Sequence, residues 1–326
     1  MRKILGPILS GIGGFLLVLG LLLNVYAYPR LAVAPLDQDV ISVLDGPGAR
    51  FFDVSVEGGK IVGEVDTDFT ITAKVVGDVD AAESHGDNVA VWTNSTKITT
   101  AEGKSPQSTV ERVAFDRTSG EAVDCCDAFS EKVQGEQNPT KFQGQVFKFP
   151  FQTKQQEYLW WDSTLEQAFP AKFVREEEFH GMNTYVFEQK IEPRVTGQQD
   201  VSPDMVGEIG TGSLKADRTY SNQRTFWVEP ETGVVMDRVE KQYATLRFEG
   251  EDRAVVTDVE ARFSKETVDA NVSEYGDKVG QLKLIRFTLP LVLGVLGAGL
   301  LVAGLVLGRR SGGDPEHYQM KSRAAA

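Results

Sequence analysis

The sequence predicts a mainly β ectodomain, an irregular antiparallel β-barrel or curved sheet with few helices, between two transmembrane α-helices. Both ends of the 326-residue chain carry a long apolar run without charge, whereas the segment between them alternates apolar and polar residues with a period of two. Hydrophobic residues make up 41% of the chain and charged residues 25%, which is the composition of a folded protein and excludes disorder as the dominant state.

The first element is an apolar run from Ile4 to Pro29 that contains no charged residue. A helix needs about 20 apolar residues to cross the hydrocarbon core of a bilayer. We therefore predict a transmembrane helix over residues 4–27. A cleaved signal peptide is the alternative, because Val25-Tyr26-Ala27 resembles a cleavage site, but the run is longer than the apolar core of about 7–15 residues that signal peptides have.

The last element is a second uncharged apolar run, predicted as a transmembrane helix over residues 287–308. A helix is predicted directly before it from apolar residues spaced by four and three, namely Val268, Val272, Tyr275, Val279 and Leu282. Small residues recur four apart in both runs, at Gly6, Ser10, Gly14, Gly294, Ala298, Gly299 and Ala303. This spacing indicates either that the two spans pack together or only that glycine is common in membrane helices.

Basic residues beside the two runs predict the topology. Arg2 and Lys3 precede the first run and Arg309 and Arg310 follow the second. Because short flanks rich in Lys and Arg stay in the cytoplasm, we expect residues 1–3 and the tail 309–326 to be cytoplasmic and residues 28–283 to lie outside the plasma membrane. Seven of the 34 basic and two of the 47 acidic residues lie outside residues 30–283, which gives this segment a net charge of about −18. A nucleic-acid partner is not expected, whereas membrane lipids are.

The segment between the two runs has the alternation of half-buried strands. Three stretches show it, at residues 69–75, 185–191 and 255–263. Two hairpins, residues 113–124 and 226–237, share an acidic residue before the turn and a Ser/Thr-Gly pair within it. An internal duplication or convergence on one favourable turn would both produce this likeness, because glycine at a left-handed position suits such hairpins.

Motifs for catalysis, cofactors or metals are not found in the sequence. No G-x-S-x-G occurs, and His85 and His180 have no nucleophile near them in sequence. Acidic residues around Gly77 and Gly86 do not have the spacing of an EF-hand, so a solvated loop is favoured over a cation site. We therefore expect no enzyme activity, no catalytic residue, no metal ligand and no cofactor.

Cys125 and Cys126 are adjacent and are the only cysteines of the chain. Outside the cell they would meet oxidising conditions. Three states stay open: a disulfide between the neighbours that forms a rigid turn, which is the favoured one, intermolecular pairing, or free thiols.

The densest aromatic stretch is VFKFPFQTKQQEYLWWD, in which three phenylalanines alternate as they would on one face of a strand. A packed core explains it without any function. The alternative is an apolar ligand channel, whose candidate lining residues are Phe147, Phe149, Phe151, Trp160, Trp161, Tyr185 and Phe187.

The chain combines a basic N-terminus, a first span, the YPRLAVAP exit, the KFPFQTKQQEYLWWD stretch, the TFWVEPETGVVMDR hairpin and a C-terminal span. In this combination it resembles the actinobacterial membrane proteins of the porin PorA family, formerly a domain of unknown function. The resemblance covers essentially the whole chain. It implies a protein of the cell envelope of mycolate-type or related bacteria.

A weaker resemblance is to class B scavenger receptors and lysosomal integral membrane proteins, which share the plan of a helix, a large β-rich ectodomain and a returning helix. Residues 179–187, FHGMNTYVF, are similar to a Gly-apolar-x-x-Tyr-x-Phe strand of that group. This resemblance implies an irregular barrel that encloses a lipid tunnel. The present ectodomain is shorter and lacks the several disulfides of that group.

Two functions are expected on these grounds. The first is an extracytoplasmic protein that binds or transfers lipid or another apolar ligand close to the bilayer. The second is a structural or adaptor protein whose ectodomain binds an envelope protein partner, which would have a filled interior and an exposed apolar patch.

Overall fold

The computed structural model describes residues 2–51, 55–57, 60–62, 65–105 and 107–310. These residues divide into two compact units, one made of residues 2–32 with 280–310 and one of the described residues between 33 and 279. The helical segments in chain order are α1 (Arg2–Leu22), a π-helical turn (Leu23–Ala27), α2 (Tyr28–Leu31), α3 (Val79–Glu83), a 3-10 turn (Pro203–Val206), α4 (Lys265–Lys283), a second π-helical turn (Leu284–Thr288) and α5 (Leu289–Arg310).

Apolar helices form the first unit. Two continuous helical stretches of the chain, Ile4–Leu31 and Lys265–Arg309, are long and apolar enough to cross a membrane, and the second begins in the other unit. Many large apolar side chains of α1 and α5 are exposed, for example Phe15 and Val295. This confirms the prediction of two long apolar helices near the chain ends, and the helix expected over residues 268–282 is α4.

The second unit is an antiparallel sheet domain. Its strands are β1 (Asp39–Phe51), β2 (Ser55–Glu57), β3 (Lys60–Val62), β4 (Val65–Gly77), β5 (Val89–Thr100), β6 (Gln107–Asp116), β7 (Phe129–Glu131), β8 (Asn138–Pro139), β9 (Tyr158–Asp162), β10 (Gln167–Phe179), β11 (Met182–Val201), β12 (Leu214–Val228), β13 (Val235–Phe248) and β14 (Glu251–Phe263). Strands β2 and β3 form a separate hairpin. The other twelve form one sheet of order β8-β7-β6-β5-β4-β1-β14-β13-β12-β11-β10-β9.

The sheet is not closed by a continuous ladder, because β8 and β9 are its two edges. Single bridges nevertheless link β6 to β9. Phe115 of β6 pairs with Ala122. Glu121, the residue before Ala122, pairs with Gln145, and Gln145 in turn pairs with Trp160 of β9. These isolated bridges connect β6 and β9, which lie far apart in the strand order. The predicted mainly antiparallel fold is confirmed.

The two hairpins that resemble each other in sequence also resemble each other in structure. Gly120 and Gly233 both adopt φ of +73°, a left-handed conformation that glycine reaches without strain. Both turns contact the same segment of chain. The Phe149 amide donates to the Gly233 carbonyl (2.8 Å) and the Phe151 amide donates to the Thr118 carbonyl (3.0 Å). The segment around Phe149 is thus held between the two hairpins.

Candidate functional site

The two apolar helices contact each other along a line of positions at which glycine recurs. Contact positions on α1 are spaced by four and three residues, at Gly6, Ser10, Gly13, Leu17 and Gly20, and those on α5 are Pro290, Leu293, Gly297, Leu301, Gly304 and Gly308. A Cβ on Gly13 would lie 2.5 Å from the Leu301 amide nitrogen, and one on Gly297 would lie 2.8 Å from the Gly13 carbonyl oxygen. The two backbones therefore touch, as small residues permit in membrane helices.

The contact does not use every small residue that the sequence pattern suggests. A Cβ at Gly14, Gly294 or Gly299 would meet no atom within 4 Å. These glycines face away from the partner helix of the same chain, and Gly11 does so as well. One set of small residues thus lies at the contact between the two helices, and a second set faces outwards.

A π-helical turn follows α1 and another precedes α5, and the two turns lie beside each other. The side-chain amide of Asn24 in the first turn donates to the backbone carbonyl of Arg286 in the second (2.8 Å). The Arg286 guanidinium also lies over the Tyr28 and Phe287 rings, at 5.3 Å and 4.5 Å. Such turns recur at functional sites in helices, and a polar cross-link of this kind joins the two helices near one end of the pair.

The sheet domain carries a buried group of charges centred on Arg224 of β12. Its guanidinium binds Glu240 (2.9 Å), Asp162 (2.8 Å) and the side-chain oxygen of Gln189 (2.8 Å). The Arg224 and Asp162 side chains are 9% and 0% exposed. Because the partners come from β9, β11 and β13, one arginine joins four strands.

Neutral side chains complete this group. The Tyr220 hydroxyl donates to Asp162 (3.0 Å), and the Asn222 amide donates to Glu240 (2.6 Å). Burial alone would raise the pKa of Glu240, but Arg224, Arg238 and hydrogen bonds from neighbouring amides lower it to about 2. The positive and negative charges are paired within the protein, so this group links four strands and offers no free acid or base.

Three of the predicted lining residues form the centre of a packed aromatic cluster. The Phe149 ring stacks on Phe187 (4.6 Å between centroids) and on Trp160 (5.0 Å), and Trp160 lies 4.6 Å from Phe226. Phe149 and Phe187 are completely buried. Tyr185 packs at the edge of this cluster against Phe173. The contacts are those of a filled core, and the lining role stays a prediction.

The other three predicted residues lie elsewhere. Phe147 packs 5.3 Å from Trp92 in a different cluster, and Phe151 lies beneath the Lys148 ammonium (3.8 Å). Trp161 points to the opposite face of β9 from its neighbour and donates to Glu111 (3.2 Å). The expectation that the three phenylalanines share one face of a strand is wrong, because residues 147–151 bond to two hairpin turns and not to a strand partner.

Two further buried groups were not singled out by the sequence. Glu111 is 4% exposed, and burial raises its pKa although Ser163 and Trp161 donate to it. Lys148 is 6% exposed, its Nζ has no hydrogen-bond partner among the described residues, and burial lowers its pKa to about 7. A lysine between two hairpins gives no sequence signal that distinguishes it from an exposed one.

Cys125 and Cys126 are joined by a disulfide, with Cα atoms 3.8 Å apart. Cys126 and Asp127 have φ of +66° and +53°, so the pair lies in a tight turn. No metal ligand was expected from the sequence, but the fold brings one imidazole nitrogen of His85 and the two sulfurs within 4.8 Å of one another. No sequence signal joins them, because His85 follows α3 and the cysteines follow β6.

The comparisons with known proteins agree with one another. The family model described as Porin PorA matches residues 5–306. A protein named Porin PorA from Corynebacterium resistens is 22% identical, over 94% of this chain and 97% of its own length. One of the same name from Corynebacterium amycolatum is 24% identical, over 95% of this chain and 100% of its own length.

These matches correct the function expected from the sequence. Lipid or apolar-ligand binding or transfer was expected first and an adaptor role second, and both are wrong, because the relatives that match 94–95% of the chain are named porins. The protein is a membrane protein with two long apolar helices and a large antiparallel sheet. Since the family model covers nearly its full length, the chain belongs to the porin PorA family.

Proposed function

We propose that the protein forms a channel for small polar solutes as an assembly of several copies, with its helix pairs in the membrane. The match of nearly the whole chain to proteins named porins carries this proposal. The helix pair supports the assembly. Because α1 and α5 touch backbone to backbone, water has no room between the two helices of one copy, and a water-filled path needs helices from more than one.

The outer surface of the helix pair is suited to further helix contacts. A Cβ on Gly11, Gly14, Gly294 or Gly299 would meet no atom within 4 Å in the part of the chain that the structure describes, and small residues let membrane helices approach closely. The exposed large apolar side chains between them would face lipid. In this arrangement the second set of glycines joins copies, as the first set joins the two helices of one copy.

The channel would span the plasma membrane with both termini in the cytoplasm and the sheet domain outside. The basic residues at both chain ends support this orientation. The protein would be a transport protein and not an enzyme, and it would need no cofactor. The buried charges around Arg224 would give the sheet domain its stability and not take part in conduction.

Reconstitution of the full chain into planar phospholipid bilayers tests the proposal. We expect discrete conductance steps whose frequency rises more steeply than in proportion to protein concentration, because several copies must meet. Gly14→Val should lower this frequency while leaving the fold of the sheet domain intact by circular dichroism. Folded protein that incorporates into the bilayer but gives no steps above the lipid background would contradict a channel, and a strictly proportional dependence would contradict the assembly.

A further inference from the structure

The disulfide and His85 form a surface cluster on the sheet domain that the proposed channel does not use. One imidazole nitrogen of His85 and the two Sγ atoms all lie within 4.8 Å of one another. His85 is exposed and the cysteines are half-buried, so solvent and a small ion can reach the cluster. A disulfide sulfur is a poor metal ligand, whereas a thiolate is a strong one.

The His85 ring is held in the way that metal-binding histidines commonly are. Its Nδ1 lies 3.0 Å from the Ala81 carbonyl oxygen and 2.8 Å from the Ser84 hydroxyl. A carbonyl can only accept, so this contact favours the tautomer that carries hydrogen on Nδ1. The lone pair is then on Nε2, which becomes the ligand atom.

The cysteine turn is fixed against the same short helix that precedes His85. The Arg112 Nε donates to the Cys126 carbonyl (3.3 Å), and its guanidinium pairs with Asp78 (2.8 Å). Asp78 in turn accepts a hydrogen bond from the Ala81 amide (3.1 Å) at the beginning of α3. Arg112 therefore connects the two segments that supply the three candidate ligands.

We propose that reduction of the Cys125–Cys126 disulfide turns this cluster into a three-ligand site for a thiophilic cation, with Zn²⁺ as the reference ion. A dithiol reductant would deliver two electrons and two protons to the S–S bond, which breaks to give two thiols while the reductant forms its own disulfide. Binding of Zn²⁺ then releases the two thiol protons to solvent, and neutral His85 adds its lone pair. Water would occupy the fourth position.

The dimensions allow such a site with small side-chain movements. Ligand atoms around tetrahedral Zn²⁺ are about 3.5–3.8 Å apart, given Zn–S bonds of about 2.3 Å and Zn–N bonds of about 2.0–2.1 Å. One imidazole nitrogen of His85 and the two sulfurs already lie within 4.8 Å of one another, and the disulfide itself holds the two sulfurs together. Breaking the S–S bond lets the sulfurs separate to the required distance. Thiolate ligands with one imidazole suit Zn²⁺ or Cu⁺ and not Mg²⁺ or Ca²⁺.

Zinc titration of the full chain in detergent, prepared without a histidine tag, tests this proposal. We expect one Zn²⁺ per chain after reduction with a phosphine and none for the oxidised protein, measured by competition with a chromophoric chelator. Co²⁺ bound to the reduced protein should give a thiolate-to-metal charge-transfer band. His85→Ala should weaken binding at least tenfold, and the Cys125→Ser/Cys126→Ser double variant should abolish it.

His180→Ala is the matched control, because His180 lies in the β10–β11 hairpin and should leave the affinity unchanged. Equal Zn²⁺ binding before and after reduction would overturn the proposal, since it would place the ion on other residues such as the carboxylates. Wild-type affinity in the His85→Ala variant would also overturn it. So would unfolding of the reduced sheet domain, measured by circular dichroism, because the site requires a folded dithiol form.

Discussion

Gly13 lies directly against Gly297 across the helix pair, so that a Cβ added to Gly297 would stand 2.8 Å from the Gly13 carbonyl oxygen. Contacts of this kind repeat along the helices, because Gly6, Gly13 and Gly20 are seven residues apart. Seven residues make about two turns of helix, so these three glycines lie on the same face of α1. Without a hydrophobic driving force inside lipid, we expect this close backbone packing to contribute much of the attraction between the two helices.

Gly13→Val should therefore separate the two helices. A valine Cβ would overlap the backbone of α5, and overpacking of this kind costs about 1–3 kcal/mol. Fluorescence energy transfer between dyes on cysteines introduced at Ile4 and Leu307 would report the association, and its midpoint in an SDS titration should fall. Gly14→Val is the control and should leave this midpoint unchanged, because a Cβ there meets no atom within 4 Å among the described residues. Equal midpoints for both variants would show that the glycine contact is not what holds the pair.

Arg224→Met should strongly destabilise the sheet domain. The change leaves Asp162 and Glu240 buried without their main cation, and breaking a buried ion pair from one side costs about 3–5 kcal/mol. All four tryptophans of the chain, Trp92, Trp160, Trp161 and Trp227, lie in this domain, so urea unfolding can be followed by their fluorescence.

Lys190→Met is the control for that experiment. Lys190 pairs with Glu192 at the surface, where both side chains are 68% exposed and an ion pair contributes about 0–1 kcal/mol. If Arg224→Met lowers the free energy of unfolding by no more than this control does, the buried charges do not support the fold.

The parts of the fold that follow local pattern were predictable. The alternating stretches at residues 69–75, 185–191 and 255–263 lie in β4, β11 and β14, and the apolar spacing of residues 268–282 lies in α4. In each case the spacing of apolar residues in the sequence equals the spacing at which side chains return to the same face of a strand or helix. The secondary structure of these segments therefore follows from local sequence alone.

The candidate sites were not predictable, because each depends on contacts between distant residues. Tyr220, Asn222 and Arg224 alternate along β12 as solvent-facing residues would, yet all three are buried, because carboxylates from other strands meet them. His85 reaches the cysteines only through the packing of α3 against the sheet. The strand expected around Phe149 is wrong for a related reason: this residue alternates with neighbouring phenylalanines, but its amide bonds to a hairpin turn and not to a strand partner.

If the proposed channel forms with the sheet domain outside, it should prefer cations at low ionic strength. The segment 30–283 carries a net charge of about −18 and is joined to both helices, so its field is held at one membrane face. Negative potential near a pore raises the local cation concentration. Reversal potentials in KCl gradients near 0.1 M should show this preference, and it should weaken near 1 M, where the Debye length falls from about 10 Å to about 3 Å. Anion preference at low salt would contradict this arrangement of charge.

Lys148→Met should stabilise the sheet domain more at pH 7 than at pH 9. Burial lowers the pKa of Lys148 from 10.5 to about 7, so between these values the unfolded chain holds a proton that the folded chain does not. Wild-type stability therefore rises with pH across this window, and methionine removes that slope. Because each pH unit is worth at most about 1.4 kcal/mol for one proton, the difference between variant and wild type should change by up to about 2 kcal/mol from pH 7 to pH 9. Lys154→Met, at an exposed position, should keep the wild-type slope in the same urea titrations. If the free energy of unfolding changes with pH equally in the wild type and in Lys148→Met, the Lys148 ammonium reaches water in the folded protein.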